Sequence, residues 1–272
     1  MLNFIIFVVA FVIFTSSAMA ATQPNIGAEE RLVKLIAQDL ESKYDIQSLK
    51  KLATVKKMID YQYVLDDQVF YTLAFSLNFN PKQNCASNQD SCRFHIYSLT
   101  YMLQSNGEWA FKEKNKSTPM GNFDLPGIQP NNTQLIGVTG TINKQYHILA
   151  DINSSDYEGH ERKIATIIVR MDDVWLSAGQ IDIADDNKYA GCNTPIIIDG
   201  VDYTKPCYSY TAKLKLRENN KQILPDLMVL TSGTDLKIID DPKYIYGNKV
   251  KLVNSKDKLC VYDYIKNQYK MQ

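Results

Sequence analysis

The spacing of apolar and polar residues changes along the 272-residue chain, and its first part is a short apolar run. Residues 4–14 are all apolar, and small residues ending in Ala18-Met19-Ala20 follow them. The run is about half the ~20 residues that span a bilayer, and the Ala-x-Ala ending is typical of a cleavage site. We therefore predict a secretory signal peptide over residues 1–20. No Lys or Arg precedes the run, so an uncleaved anchor is the alternative.

Apolar residues recur at helical spacing in the next part of the chain. Two stripes have this spacing, the first made of Leu32, Leu35, Ile36 and Leu40 and the second of Leu49, Leu52, Val55 and Ile59. The residues between them are mainly acidic in the first segment and lysine-rich in the second. Two amphipathic helices are the expected structure, with the lysines on a solvated face.

From Tyr61 onward the period is two, which is typical of half-buried strands. The clearest examples are residues 69–79, 93–104 and 208–217. Short polar pairs separate several such runs, namely Asn106-Gly107, Asn143-Lys144 and Asp172-Asp173. Asn-Gly between two strand-like runs is a strong signal for a hairpin. Successive hairpins favour antiparallel over parallel sheets.

These elements predict an α+β fold that is mostly antiparallel β, with N-terminal amphipathic helices followed by hairpin-connected sheets. Residues 114–133 contain three prolines and two glycines and show little periodicity, so we interpret them as a linker or a long surface loop. The loop would separate residues 21–113, with helices and a sheet, from an antiparallel subdomain at residues 134–272. No second long apolar run occurs, so no transmembrane segment is expected after signal removal.

Five cysteines add covalent constraints to this picture. Export would place them in an oxidising compartment, where thiols pair. Chain spacing favours the bridges Cys85–Cys92 and Cys192–Cys207, which would leave Cys260 unpaired. Two bridges among five cysteines allow about 15 arrangements, so the connectivity stays open. A metal site is the alternative, but no cysteine or histidine cluster has zinc-ligand spacing.

Charge and motifs argue against several function classes. Thirty basic and thirty acidic residues give zero net charge, which does not favour nucleic acid as a partner. The Gly-x-Ser-x-Gly elbow is absent, and His160-Glu161 has no second histidine one helical turn away. His95 shares a strand face with Tyr97 and Leu99, so we expect it to pack, and His147 also lies in a strand candidate.

Acidic side chains offer the remaining candidates for chemistry. Four aspartate pairs flank predicted turns, at Asp66-Asp67, Asp172-Asp173, Asp185-Asp186 and Asp240-Asp241. Aspartate is common in turns for backbone reasons, and neighbouring carboxylates rarely face each other across a substrate. The segment from Asp151 to Arg162 begins with calcium-loop spacing but lacks the glycine and the final glutamate of such a loop. The sequence thus predicts no catalytic, cofactor-binding or metal-binding residue.

Seventeen tyrosines point toward binding surfaces as well as strands. Tyr244 and Tyr246 form the one cluster that we predict as a binding patch. The sequence therefore favours an exported protein, periplasmic or secreted, that recognises the surface of another protein of the cell envelope. An immunity or inhibitor protein that neutralises a toxin or an enzyme is the sharpest form of this hypothesis. The alternatives are a secreted hydrolase that uses scattered carboxylates and a structural component of the cell envelope.

Overall fold

The computed structural model describes residues 29–31, 34, 54–78, 94–115, 132–171, 174–219, 222–239, 241–243 and 249–272. Of these residues 71% are in strands and 2% are helical, and none belongs to a helix of seven or more residues. The predicted α+β class with N-terminal amphipathic helices is therefore wrong, because the described chain is nearly all antiparallel β. The predicted signal peptide over residues 1–20 lies outside the described residues, and no helix among the described residues is long and apolar enough to cross a membrane.

Fifteen strands are present in the described part of the chain. They are β1 (Thr54–Leu65), β2 (Gln68–Asn78), β3 (Phe94–Leu103), β4 (Trp109–Asn115), β5 (Thr133–Thr141), β6 (Lys144–Tyr157), β7 (His160–Met171), β8 (Val174–Asp186), β9 (Ile197–Ile198), β10 (Val201–Asp202), β11 (Ser209–Arg217), β12 (Asp226–Ile239), β13 (Lys249–Asn254), β14 (Lys258–Asp263) and β15 (Gln268–Met271).

Strand β1 contains Val55 and Ile59 of the second predicted helix, whereas Leu49 and Leu52 lie outside the described residues. Val55 is opposite Leu77 on one face, whereas Ile59 is opposite Ala74 on the other, because the register shifts between Lys57 and Ile59. One extra residue in a strand reverses the face of every later side chain. The two apolar residues are four apart in sequence, a spacing that fits one face of a helix, but the bulge places them on opposite faces of the strand.

The first four strands form a sheet in the order β1-β2-β3-β4. Its outer face carries a buried apolar cluster of Tyr71, Leu73, Phe75, Tyr97, Leu99 and Tyr101. Both faces of β2 are buried, so the small polar residues that alternate with this cluster, such as Thr72 and Ser76, are also shielded from water. The Glu29 carboxylate accepts a hydrogen bond from Tyr101, which places the described helical residues beside this outer face.

The remaining long strands form a nine-stranded sheet in the order β15-β14-β12-β11-β8-β7-β6-β5, with β13 paired to β12. This large sheet curls so that β5 approaches β11 and β15 approaches β8. The curl encloses a core that includes Ile148, Ile167, Val169, Leu227 and Tyr262, each almost completely buried. The inward residues of β11 alternate with exposed ones, as the sequence predicted for residues 208–217.

The two sheets pack face to face through a second apolar cluster. Met58, Tyr61 and Ile96 of the small sheet contact Leu149, Ile168 and Trp175 of the large sheet. The Trp175 indole also donates a hydrogen bond across this interface to Ser98, with an N–O distance of 3.1 Å. Residues 116–131, which include most of the predicted linker, lie outside the described residues, and the division into two subdomains stays a prediction.

Turn chemistry agrees with several sequence expectations. Asp66 and Asp67 both have positive φ (48° and 60°) between β1 and β2, as in a type I′ hairpin. The Asn106-Gly107 turn is one residue longer than predicted, because the pair that closes it is Gln104 and Glu108, joined by a 2.8 Å backbone hydrogen bond. Hairpins thus connect β1 to β2, β3 to β4 and β5 through β8.

Candidate binding site

Two extensions leave the large sheet at the same end. One is the segment 187–208, called here the disulfide loop, which joins β8 to β11 and contains the short β9–β10 hairpin. The other, called the ribbon, consists of residues 234–239 of β12 paired with the whole of β13. The ladder between β11 and β12 ends at Tyr210 and Gly233, so both extensions lie beyond this pair.

The disulfide loop is fixed at both of its ends. Cys192 and Cys207 lie at disulfide-bonding distance, with their Cα atoms 4.9 Å apart, which agrees with the predicted bridge. The buried Asn187 side chain accepts a 2.8 Å hydrogen bond from the backbone N–H of Tyr208 and donates one of 3.2 Å to the Pro206 carbonyl. The bridge and this amide together hold the start of the loop against its end.

Apolar side chains on the disulfide loop face water. Ile196, Ile197 and Ile198 are all exposed, and Ile197 keeps 61% of its surface accessible. Tyr189, on the same loop, is also exposed. The backbone under the isoleucines is ordered, since the Tyr203 N–H donates a 2.7 Å hydrogen bond to the Ile196 carbonyl. Clustered apolar side chains on an ordered surface loop are typical of a protein interaction site.

The ribbon presents a second apolar surface. Leu236 lies directly opposite Leu252, and Ile238 lies opposite Val250, so the four side chains share one face of the hairpin. Ile238 is 63% exposed, and Leu252 is exposed as well. No described residue shields Ile238 or Leu252 on this face from solvent.

A cleft of about 360 Å³ separates the disulfide loop from the ribbon. Ala190 and Ile196 line it from the loop, Leu236 lines it from the ribbon, and His160 and Tyr208 lie among its polar residues. This volume is at the lower end of the range for small-ligand sites. It is large enough for a few side chains of a partner protein.

Three polar side chains meet in this cleft. The Nε2 atom of His160 lies 2.5 Å from Oδ1 of Asp185 and 3.1 Å from the Tyr208 hydroxyl oxygen. His160 begins β7, Asp185 is the penultimate residue of β8, and Tyr208 directly precedes β11. About 40% of the His160 side chain is exposed, so this group is accessible to a partner.

Carboxylates near Tyr208 and Tyr210 raise the pKa values of these two tyrosines. Burial raises the pKa of Tyr208, and the negative charges of Asp185 and Asp235 raise it further. Burial and the charges of Asp182, Asp185 and Asp235 raise the pKa of Tyr210 to about 12. Both tyrosines are therefore neutral hydrogen-bonding groups at physiological pH.

The β6–β7 turn supports the disulfide loop by close backbone contact. Gly159 has φ of +81°, and a Cβ atom at this position would lie 2.3 Å from the carbonyl oxygen of Tyr189. Only glycine fits both this left-handed conformation and this approach. The turn therefore fixes His160, the next residue, relative to the loop.

The cleft contains some of the groups that proton transfer uses. A histidine oriented by an aspartate can transfer a proton, but a covalent mechanism also needs a nucleophile. The described residues that line the cleft include no serine, threonine or free thiol, because Cys192 is in the disulfide. No group of three or more potential metal ligands occurs within the described part of the chain.

Sequence reasoning missed the His160–Asp185–Tyr208 cluster because its members are far apart in the chain. Asp185-Asp186 was predicted as a turn pair, and Asp186 does have this role, since it accepts a 2.7 Å hydrogen bond from the Lys188 N–H. Asp185 instead faces His160. Arg162 of β7 lies opposite Asp185 of β8, and His160 lies two residues from Arg162 on the same face of β7. A correct prediction of this strand register would therefore have placed His160 near Asp185.

Several other sequence-predicted residues are not in this cluster. Cys85, Cys92, Tyr244 and Tyr246 lie outside the described residues, although the last two belong to the segment that connects the two strands of the ribbon. Cys260 is buried, and within the described chain it has no sulfur partner, as expected for the leftover cysteine. For His95 only the backbone, in β3, is described.

Asp151 is not part of an exposed calcium loop. Its side chain is fully buried in β6 and accepts hydrogen bonds from Thr133, at 3.0 Å, and Asn153, at 3.1 Å. Its immediate neighbours thus satisfy the carboxylate within the strands.

A second histidine cluster lies between the two sheets. His147 is fully buried, its Nδ1 is 2.5 Å from the Tyr61 hydroxyl, and its Nε2 is 3.1 Å from Nη1 of Arg170. A guanidinium only donates, so Nε2 accepts and the neutral ring donates from Nδ1 to Tyr61. Burial, with the charges of Arg170 and Lys112, holds the pKa of His147 well below its usual value. The cluster has no access to solvent and is structural.

Comparison of the chain with protein-family models, with curated proteins and with solved structures gives no match. The function is therefore argued from the cleft and its surroundings.

Proposed function

We propose that this chain is an exported, periplasmic protein that recognises another protein through the cleft between the disulfide loop and the ribbon. The observation that carries the proposal is the exposure of Ile196, Ile197 and Ile198 on a loop closed by a disulfide, together with the exposure of Ile238 on the ribbon. Binding would bury these aliphatic surfaces, and each side chain fully buried contributes roughly 1.5–3 kcal/mol.

The rigidity of the loop supports the same proposal. A loop held by the Cys192–Cys207 bridge and by Asn187 loses little conformational entropy when a partner binds. An apolar patch on such a loop has the character of an interface hot spot, with the polar His160 and Asp185 at its edge. An immunity or inhibitor protein that neutralises a toxin or an enzyme is the specific form that we propose.

The test compares three single substitutions of exposed isoleucines in capture experiments with periplasmic extract. Ile197→Asp and Ile238→Asp place a charge on the loop and on the ribbon, respectively. Ile265→Asp is the matched control, because Ile265 is 93% exposed in the turn between β14 and β15. We expect the wild-type protein and the control to retain the same partner, and we expect the loop variant and the ribbon variant to lose it. Equal capture by all four proteins, or no stable partner of the wild type, would contradict the proposal.

A hydrolase is the second candidate function, and the His160–Asp185 pair is the observation that favours it. A histidine 2.5 Å from a carboxylate can act as a general base toward water. His160→Gln would abolish hydrolysis while leaving the isoleucines in place. Loss of a measured hydrolytic activity in this variant, with protein capture unchanged, would favour the enzyme over the binding protein.

A further inference from the structure

Strand β12 continues past the point where its neighbour β11 leaves it. The ladder between the two strands ends at Tyr210, which is opposite Gly233. Beyond this pair, residues 234–239 of β12 have β13 on their other side. The side that β11 vacates, called here the open edge, has no ladder partner among the described strands. The open edge borders the cleft, because Leu236 lines the cleft and the chain that precedes β11 is the disulfide loop.

Alternate residues direct their backbone groups to the open edge. In an antiparallel ladder, one residue points both its N–H and its C=O at the partner strand, and the next residue points both away. The Gly233 carbonyl accepts a 3.0 Å hydrogen bond from the Ser255 N–H, so Gly233 faces the β13 side. The register between β12 and β13 then places the N–H and C=O groups of Leu236 and Ile238 at the open edge.

The hydrogen bond of Leu236 agrees with this orientation. Its N–H donates a 2.7 Å hydrogen bond to the Asp235 carboxylate and not to β13, although Leu236 lies opposite Leu252 in the ladder. A neighbouring side chain therefore satisfies a backbone donor that a strand would otherwise bind. Unpaired N–H and C=O groups along a strand edge are a template for pairing with another chain.

We propose that the partner inserts an extended segment into the cleft, where it pairs as an additional strand with residues 234–238 of β12. The inference rests on the proposed function, because it specifies which part of the partner the cleft accepts. Leu236 and Ile238 offer two donors and two acceptors, and main-chain hydrogen bonds of this kind supply affinity in strand addition. Their side chains share the apolar face of the ribbon, so the segment carries apolar residues at alternate positions.

Hydrogen exchange of the free protein tests the orientation of the open edge. The Lys237 N–H lies in the ladder with β13, whereas the Ile238 N–H points to the open edge. The Ile238 amide should therefore exchange at least tenfold faster than the Lys237 amide. Equal protection of the two amides would show that Ile238 does not present its backbone to the cleft, and the proposal would fall.

The binding probe is a synthetic peptide with the sequence of β11, Ser209–Arg217, acetylated and amidated at its ends. This sequence already pairs with the same side of β12 closer to the sheet, and its apolar and polar residues alternate. In an NMR titration of the full chain, the peptide should shift the amide signals of Leu236 and Ile238 and slow their exchange. Shifts centred on residues 226–233, where β11 itself pairs, would contradict addition at the open edge.

A modified peptide distinguishes backbone pairing from side-chain contact. N-methyl groups on the peptide residues that correspond to Lys213 and Leu214 remove one N–H from each edge of the peptide and leave every side chain and charge in place. The N-methylated peptide should bind at least tenfold more weakly. Equal affinity of the two peptides would overturn the proposal.

Two substitutions of Leu236 make the same distinction on the protein. Leu236→Pro and Leu236→Ala both remove the leucine side chain, but only proline removes the N–H at the open edge. The β12–β13 ladder does not use this N–H, and proline is tolerated at such edge positions. Leu236→Pro should bind the β11 peptide at least fivefold more weakly than Leu236→Ala. Equal binding would contradict strand addition, and the peptide pair keeps the test valid if Leu236→Pro fails to fold.

The outcomes separate this inference from the proposed function. If Ile197→Asp abolishes capture of the partner while Leu236→Pro and Leu236→Ala bind the peptide equally, protein recognition stands and strand addition falls. If the peptide pairs with the open edge but the wild-type protein captures no partner, the proposed function falls and the open edge remains a site for an extended segment.

Discussion

His147 and His160 lie on the same β6–β7 hairpin and have similar partners, but their surroundings differ. Each histidine contacts a tyrosine hydroxyl and one charged side chain, Arg170 for His147 and Asp185 for His160. His147 is sealed between two sheets, whereas His160 borders an open cleft. The same residue types therefore serve packing between the sheets in one place and, in the function that we propose, recognition in the other.

The comparison teaches that burial, and not residue type, separates the two roles. A buried polar group stabilises the fold only while all its hydrogen bonds are made, so the inter-sheet cluster resists substitution. A partly exposed group exchanges its partner for water at little cost, so the cleft cluster is free to change partner. The predictions below test this difference, beginning with the largest expected effect.

Removing each imidazole should have unequal effects on stability. His147→Ala should lower the free energy of unfolding by about 3 kcal/mol, because it leaves a cavity and unpaired buried groups on Tyr61 and Arg170. His160→Ala should lower it by less than about 1 kcal/mol, since a polar contact at a partly exposed side chain contributes little. Urea denaturation of both variants measures the difference. Similar losses would show that the two clusters have the same structural role.

Adding a methyl group at Gly159 should disturb the cleft while the inter-sheet core stays intact. Gly159→Ala should cost about 2 kcal/mol, from backbone strain and from the clash with the Tyr189 carbonyl. Gly107→Ala is the matched control, because Gly107 has a similar φ of +83° and nothing within 4 Å of the added Cβ. Gly107→Ala should lower the free energy of unfolding by about 1 kcal/mol.

Proteolysis locates the effect of the Gly159 substitution. Cleavage in the disulfide loop should become faster in Gly159→Ala and stay unchanged in Gly107→Ala. If both variants lose the same stability and are cleaved alike, the close contact with Tyr189 is not important for the loop.

Acid should destabilise the protein through His147. The folded ring has a pKa well below 6.5, so below that pH only the unfolded chain takes up the proton. The free energy of unfolding should therefore fall as the pH falls, by about 1 kcal/mol between pH 6.5 and 5.5. Denaturation curves at pH 7.5, 6.5 and 5.5 measure this decrease.

Two variants distinguish the titration of His147 from a general loss of stability as the cause of the acid effect. His147→Gln should abolish this part of the pH dependence, because glutamine does not titrate. Trp175→Phe, which loses stability in the same interface but retains His147, should preserve it. A slope that survives in His147→Gln would assign the acid sensitivity to another group.

Local sequence patterns were sufficient for the antiparallel strands, because period-two alternation and turn residues are properties of neighbouring positions. The Cys192–Cys207 bridge was predictable for the same reason, since its 15-residue separation joins the two ends of one loop. Helical structure at Val55 and Ile59 was predicted wrongly because their four-residue spacing fits a helix face, and the pairing with β2 that makes this segment a strand is not a local signal.

The cleft could not be predicted from the sequence because tertiary register creates it. His160 and Asp185 are 25 residues apart and meet only through the β7–β8 pairing, and Tyr208 joins them through β11. The exposure of Ile196–Ile198 could not be predicted either, because a run of three isoleucines is typical of a buried strand. Chain connectivity and strand order decide both features.

Asp185→Asn should separate electrostatics from stability in the cleft and have the smallest effect on folding. It preserves the shape of the side chain and removes its charge, so the free energy of unfolding should change by less than about 1 kcal/mol. The pKa of Tyr210, about 12 in the wild type, should fall toward 10, because one of the charges that raise it is gone. NMR titration of labelled tyrosine rings measures this shift. Asp186→Asn is the control, since the Asp186 carboxylate accepts a hydrogen bond from the Lys188 backbone N–H. A stability loss above about 2 kcal/mol would mean that Asp185 contributes to the stability of the fold, as we expect of the buried inter-sheet cluster. The contrast between the two histidine clusters would then no longer hold.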